Sequence, residues 1–234
     1  MEKLYTEKYD DEIINRLPYY QNYSEMKPFI GKFWDSLSPK ILLVGESHYL
    51  PKESNIVSNP ETWYIGNSKN FTESEKFHIS TRKIFEEADR GEIRKRGYSY
   101  FKNMKKAVKE SNLSFKDNDL LFPYFSFYNY FLRVAEETGK SIKVKPKDEE
   151  VAMKTFIELY DILKPDKVIF VSRKANGIFK TAYAKREHKP FDTKYIRSVP
   201  HASASSYWNR ISEKYENHTG RQWFIQLLNE RVSI

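Results

Sequence analysis

Two short runs in this chain are apolar throughout, Ile41 to Val44 (ILLV) and Val168 to Val171 (VIFV), and they limit the fold more than any other feature. A strand with one wet face alternates apolar and polar residues. A strand apolar on both faces is buried on both, as in a parallel sheet covered by helices. Two further segments read as strands, Leu120 to Ser126 and Lys194 to Val199.

Helical patterns fill the gaps between these strands. Thr72 and Glu75 have capping-box spacing and open a helix expected to run to about Asp89. A basic turn (Arg94, Lys95, Arg96) and a helix over about 98–110 follow. Phe127 to Glu137 reads as helical and ends at Gly139. Asp148 to Leu163 is amphipathic, Lys174 to Lys185 reads as a helix, and Thr219 with Gln222 caps a last helix over about 220–231. Residues 1–37 read as a helical lead-in broken at Pro18 and Pro28. Strands alternating with helices imply right-handed crossovers and a parallel sheet between two helical layers. The expectation is one α/β domain over residues 1–234, a three-layer sandwich around a four-stranded parallel sheet.

Composition excludes several function classes. The chain has no cysteine, which removes disulfides, thiolate zinc sites and cysteine-ligated iron–sulfur clusters. Its five histidines stand apart, with no HExxH or His-x-His pair, so no metal site is expected. No P-loop and no GxGxxG is present, so no nucleotide cofactor is expected. The first residues are polar and no apolar run nears the roughly 20 residues of a membrane span. A cytoplasmic protein without a membrane partner is the expectation. The net charge of +8 suits a polyanion such as DNA, although a chain this rich in lysine and asparagine drifts basic without one.

In parallel α/β sheets, ligands bind beyond the carboxyl ends of the strands. The loops there hold Gly45, Glu46, Ser47, His48 and Tyr49, then Tyr128 and Asn129, then Ser172, Arg173, Lys174 and Asn176, and finally His201, Ser203, Ser205, Ser206, Tyr207 and Trp208. A carboxylate, an amide, an imidazole and aromatic faces could thus meet in one crevice. Such a set can orient water, read a base edge and stabilise an anion. Singly, each has a plainer role: Glu46 or Asn129 as a cap, His201 as a turn residue after Pro200.

The segments ILLVGESH (Ile41 to His48), FYNYF (around Asn129) and VPHAS (Val199 to Ser203) resemble, in order and placement, the three motifs of the uracil-DNA glycosylase superfamily. The resemblance spans about Pro39 to Leu228. It implies a sheet order of 2-1-3-4 and a base flipped out of DNA into the crevice. It implies that Glu46 orients water, that His201 donates to the base oxygen, and that Asn129 reads the base edge, with Tyr49 and Ser203 beside them. Arg173, Lys174, Ser205 and Tyr207 would contact DNA. The chain departs from the family at His48 and Ala202, where prolines are usual, and at Ser205, where the family often places an apolar wedge. Tyr207 or Trp208 would then stand in for that wedge.

Two other functions compete. One is a non-catalytic nucleic-acid binder on the same fold. The other is a small-molecule hydrolase using Glu46 and His48, because Gly45, Glu46 and His48 resemble the Gly-Glu-x-x-His segment of erythromycin esterase-like enzymes, one residue short.

Overall fold

The computed structural model describes residues 2–65, 70–92, 99–116, 119–203 and 205–232, with the backbone alone at Ser205 and Ser206. The basic turn at Arg94, Lys95 and Arg96 lies outside the described residues. The central sheet has five strands: β1 (Phe29–Ile30), β2 (Ile41–Gly45), β3 (Ser126–Asn129), β4 (Lys167–Phe170) and β5 (Ile196–Ser198). Their order across the sheet is β1-β3-β2-β4-β5. The last four are mutually parallel, and β1 runs antiparallel on the edge of β3. The lead-in therefore supplies a fifth strand that its proline-broken helical pattern did not announce.

The helices are α1 (Asp10–Arg16), α2 (Tyr19–Asn22), α3 (Pro60–Trp63), α4 (Glu73–Ile79), α5 (Thr81–Arg90), α6 (Ser99–Lys109), α7 (Pro146–Leu163), α8 (Arg173–Ala184), α9 (Ser205–Trp208) and α10 (Gly220–Asn229). A small hairpin, β6 (Ile211–Ser212) and β7 (His218–Thr219), precedes α10.

The two apolar runs are adjacent and parallel, with Leu42 opposite Val168 and Val44 opposite Phe170. Successive side chains in a strand point to opposite faces. So Leu42, Val44, Val168 and Phe170 enter one core with Ile13, Phe156 and Phe179, which come from α1, α7 and α8. Ile41, Leu43, Ile169 and Val171 enter a second core with Phe85, Met104 and Phe224, from α5, α6 and α10. Each such buried side chain contributes about 1.5–3 kcal/mol to the two cores.

The central sheet also holds a buried charge. Lys167 of β4 is buried, and its Nζ donates to the carbonyls of Leu227 (2.8 Å), Leu228 (3.4 Å) and Glu230 at the end of α10. It satisfies carbonyls that a helix end leaves without partners. Burial pulls its pKa down from the ordinary lysine value, opposed by the charge of Glu230.

Three sequence expectations need correction. The second strand lies at Ser126–Asn129 rather than Leu120 to Ser126, because Pro123 turns the apolar run into a 3-10 helix at Phe122–Tyr124. No helix follows it: residues 130–145 form an irregular loop. The helix expected from Thr72 to Asp89 is two helices. Ser80 ends α4 and accepts a hydrogen bond from the Lys83 amide, so it caps α5. Both expected capping boxes are present, at Thr72 with Glu75 and at Thr219 with Gln222.

Candidate functional site

The chain leaves the carboxyl ends of the four parallel strands at Gly45, Asn129, Phe170 and Ser198. The first two exits are laced together. The amides of Tyr130, Phe131 and Ala135 donate to the carbonyls of Gly45 (3.2 Å), Glu46 (2.9 Å) and His48 (2.9 Å). This pairing continues the β2–β3 ladder past the sheet and spreads residues 46–49 along one wall.

A cleft of about 500 Å³ opens beside that wall. Glu46, Asn129 and His201 all line it, as do Tyr49 and Ser203. Phe85 and Tyr100, from the helical layer beneath, and Phe127 of β3 give it aromatic faces. Among the described residues, no lysine or arginine lines it, and Glu46 is its one carboxylate. The cleft therefore favours a flat, uncharged group over a phosphate.

Glu46 is held at both oxygens. Ser172 Oγ donates to Oε2 at 2.8 Å, and Ser141 Oγ donates to Oε1. Ser172 also caps α8, accepting from the Ala175 amide at 3.2 Å, so its position is fixed by the helix start. Lys174 Nζ donates to Ser141 Oγ at 3.0 Å and to the Ile142 carbonyl. A lysine polarises a serine, and the serine steadies the carboxylate.

His201 is fixed by two contacts. Its ring stacks on Tyr100, with centroids 4.5 Å apart and planes at 26°. Its Nδ1 lies 2.6 Å from Ser203 Oγ and 3.4 Å from the Ser203 amide nitrogen. An amide N–H only donates, so Nδ1 carries the lone pair and Nε2 the hydrogen. Burial lowers the His201 pKa from the ordinary 6.5, although the nearby Glu46 charge opposes this. The imidazole is thus a neutral donor at Nε2, which has no partner among the described residues.

Asn129 ends β3 with its side-chain amide unpartnered among the described residues and half-buried. Gly45 makes room for it. A Cβ on Gly45 would lie 2.2 Å from Asn129 Oδ1 and 2.6 Å from Phe127 Cζ. Gly45→Ala should therefore displace the amide and the ring while keeping the fold, because the colliding atoms are side-chain tips. The expected cost is about 1–3 kcal/mol, the usual price of overpacking, with ligand binding lost alongside. Thermal denaturation beside ligand titration measures the two effects; unchanged binding would contradict this role for Gly45.

The remaining residues named from sequence divide. Tyr49 lines the cleft, and burial, with the Glu46 charge, pushes its phenol up to about 12, so it remains a donor. Arg173 lies outside the cleft, its guanidinium 5.9 Å from the Tyr215 ring centroid, and Lys174 is turned inward to Ser141. Tyr207 is 63% exposed and does not line the cleft, whereas Trp208 is buried against Phe224. Asn176 donates to Ser198 Oγ at 3.1 Å, tying α8 to β5. The Ser205 side chain lies outside the described residues.

Compared with known protein families and with curated proteins, the chain matches none. Its site is therefore argued from geometry. Among the described residues, no three histidine or carboxylate groups are placed to hold a metal ion, and no helix is long and apolar enough to cross a membrane.

Sequence reasoning missed the aromatic faces Phe85, Tyr100 and Phe127, which in a sequence look like any core aromatics. It missed Ser141, which sits in a segment read only as a basic loop. Asn103 was also missed: its Nδ2 donates to the Ala202 carbonyl at 2.6 Å and ties the His201 loop to α6.

Proposed function

We propose that this chain is a uracil-DNA glycosylase-like enzyme that takes a flipped base into the cleft and hydrolyses its N-glycosidic bond. The observation that carries the reading is the meeting of Glu46, Asn129 and His201 in one cleft with aromatic walls. The chemistry asks for this set. As the bond from C1′ to the base breaks, negative charge grows on the base oxygen and positive charge on the sugar. A fixed Nε2–H of His201 stabilises the first, since a preorganised donor costs no reorganisation at the moment of reaction. The carboxylate of Glu46, fixed at both oxygens, stabilises the second and orients the attacking water. The free amide of Asn129 offers one donor and one acceptor to a base edge. Phosphates stay outside, in keeping with a cleft lined by no cation among the described residues.

The test is single-turnover cleavage of oligonucleotides carrying uracil, hypoxanthine or xanthine. Release of one of these bases, abolished by Glu46→Gln with oligonucleotide binding retained, is the expected result. Binding should weaken as salt rises, because each neutralised phosphate releases counterions. An oligonucleotide that fails to bind even at low salt would remove DNA as the partner.

A further inference from the structure

His48 stands where the resembled family has a proline, and the reading above gives it no role. It is buried, 4% exposed, yet it lines the cleft. Its tautomer follows from its neighbours. Thr81 Oγ1 donates its one hydrogen to the Met26 carbonyl at 3.4 Å. With that hydrogen on the Met26 carbonyl, the same Oγ1, 3.3 Å from His48 Nε2, is an acceptor there. Nε2 therefore carries the ring hydrogen, and Nδ1 is left with a lone pair. Nδ1 has no partner among the described residues. Burial holds the pKa of this ring down at about 3, so it remains neutral in any ordinary buffer.

The Asn129 amide oxygen is a second unpartnered acceptor on the cleft wall, and several other groups there differ from both. Glu46 has both oxygens engaged by serines. His201 presents a donor. The hydroxyls of Ser47 and Tyr100 are buried without partners and can donate as well as accept. His48 Nδ1 is thus an uncharged acceptor without a donor among the described residues. A ligand N–H that reaches Nδ1 would give this acceptor a partner inside the cleft.

We propose that His48 is a specificity-determining residue whose Nδ1 accepts a hydrogen bond from a ring N–H of the base in the cleft. This rests on the base-binding reading of that cleft. It narrows the ligand to bases with a lactam N–H beside a carbonyl, as in uracil and hypoxanthine. A base alkylated at that nitrogen has nothing to donate.

The experiment measures calorimetric dissociation constants of the full-length protein for uracil, hypoxanthine and their derivatives methylated at the lactam nitrogen. Two variants accompany it. In His48→Asn the amide oxygen falls near the position of Nδ1 and keeps the acceptor. In His48→Gln the amide falls near Nε2, keeps the contact to Thr81 and removes the acceptor. Methylation should weaken binding about tenfold or more in the wild type and in His48→Asn, the scale of one unmade hydrogen bond at a buried group. In His48→Gln the parent base should bind about tenfold more weakly and the effect of methylation should vanish. Should His48→Gln fail to fold, His48→Phe, which fills the ring's volume and removes the acceptor, takes its place, because a methylation effect in the wild type alone would not separate His48 from Asn129. That comparison of parent and methylated bases still serves to refute. Equal binding of the two overturns the inference alone. Failure of the wild type to bind any free base overturns the base reading, and this inference with it.

Discussion

Replacing Arg133 by methionine should destabilise the protein by about 3–5 kcal/mol, the cost of leaving a buried charge without its partner. Arg133 has 0% of its side chain exposed, and so has its partner Asp148. The pair is bidentate, with Nε to Oδ1 and Nη2 to Oδ2 both at 2.8 Å. The rest of the guanidinium is satisfied by Glu136 (2.8 Å), the Ser58 carbonyl (3.1 Å) and Oγ (2.9 Å), and the Lys143 carbonyl (3.0 Å). Asp148 also accepts from Tyr64 at 2.8 Å and from the Lys145 amide at 2.9 Å. One guanidinium therefore joins three segments: the loop before α3, the loop after β3 and the first turn of α7. Denaturant unfolding measures the loss, and a double variant Arg133→Met/Asp148→Asn should recover part of it, because the stranded carboxylate is then gone. A single variant within 1 kcal/mol of the wild type would show that the loop is held by something else. The consequence reaches the cleft, since the loop that Arg133 fixes carries Ser141, which holds Glu46.

This network explains where sequence reading stopped. Residues 127–137 have apolar positions compatible with a helix, and nothing local forbids one. In the fold, residues 127–129 pair with β2, the amides of Tyr130, Phe131 and Ala135 donate to the carbonyls of Gly45, Glu46 and His48, and Arg133 pairs with Asp148. Pattern within a window does not report such distant partners. Local signals were legible. The two apolar strands, both capping boxes and the end of α7 before Pro165 are all where their residue types put them. The second strand was misplaced because LLFPYF and SFYN are both apolar enough to be a strand, and the ladder with Leu42 to Gly45 chose the latter.

The candidate site was legible to the extent that it depends on strand ends. Asn129 ends one parallel strand while Glu46 and His201 follow others, and the topology of the sheet brings them together. Their supports were not legible. Ser172 reads as an ordinary cap, and only its second hydrogen bond, to Glu46, joins it to the site. Tyr100 lies 101 positions before His201 in the chain, and the stack between them exists only once α6 is packed against the sheet. Lys174 looked like a surface cation after a strand, yet its ammonium turns inward.

Under the proposed base-hydrolysing function, His201→Ala should slow base release by about a hundred- to a thousandfold, equivalent to about 3–4 kcal/mol of transition-state stabilisation, while leaving the fold intact. The size follows from what Nε2 would do. It would touch an oxygen that is nearly neutral in the bound base and anionic as the bond breaks, so the interaction grows along the reaction and appears in kcat rather than in affinity. The fold should survive because the ring is only half-buried and its support comes from Tyr100 and Ser203, which remain. The pH profile separates this role from a protonated histidine. Burial holds the His201 pKa below the ordinary 6.5, so the neutral donor is the majority form at that pH and gains further above it. The single-turnover rate of the wild type should level off towards about pH 8 and fall as acid protonates Nδ1 and breaks its bonds from Ser203. A rate that instead rises as pH falls through 6.5 would mean that the imidazolium is the active form, and the assignment of Nε2–H as a neutral donor would be wrong. Ser203→Ala sharpens the test. Loss of the Oγ donor at 2.6 Å frees Nδ1 to hold the hydrogen, which should lower the rate without moving the dissociation constant of the oligonucleotide.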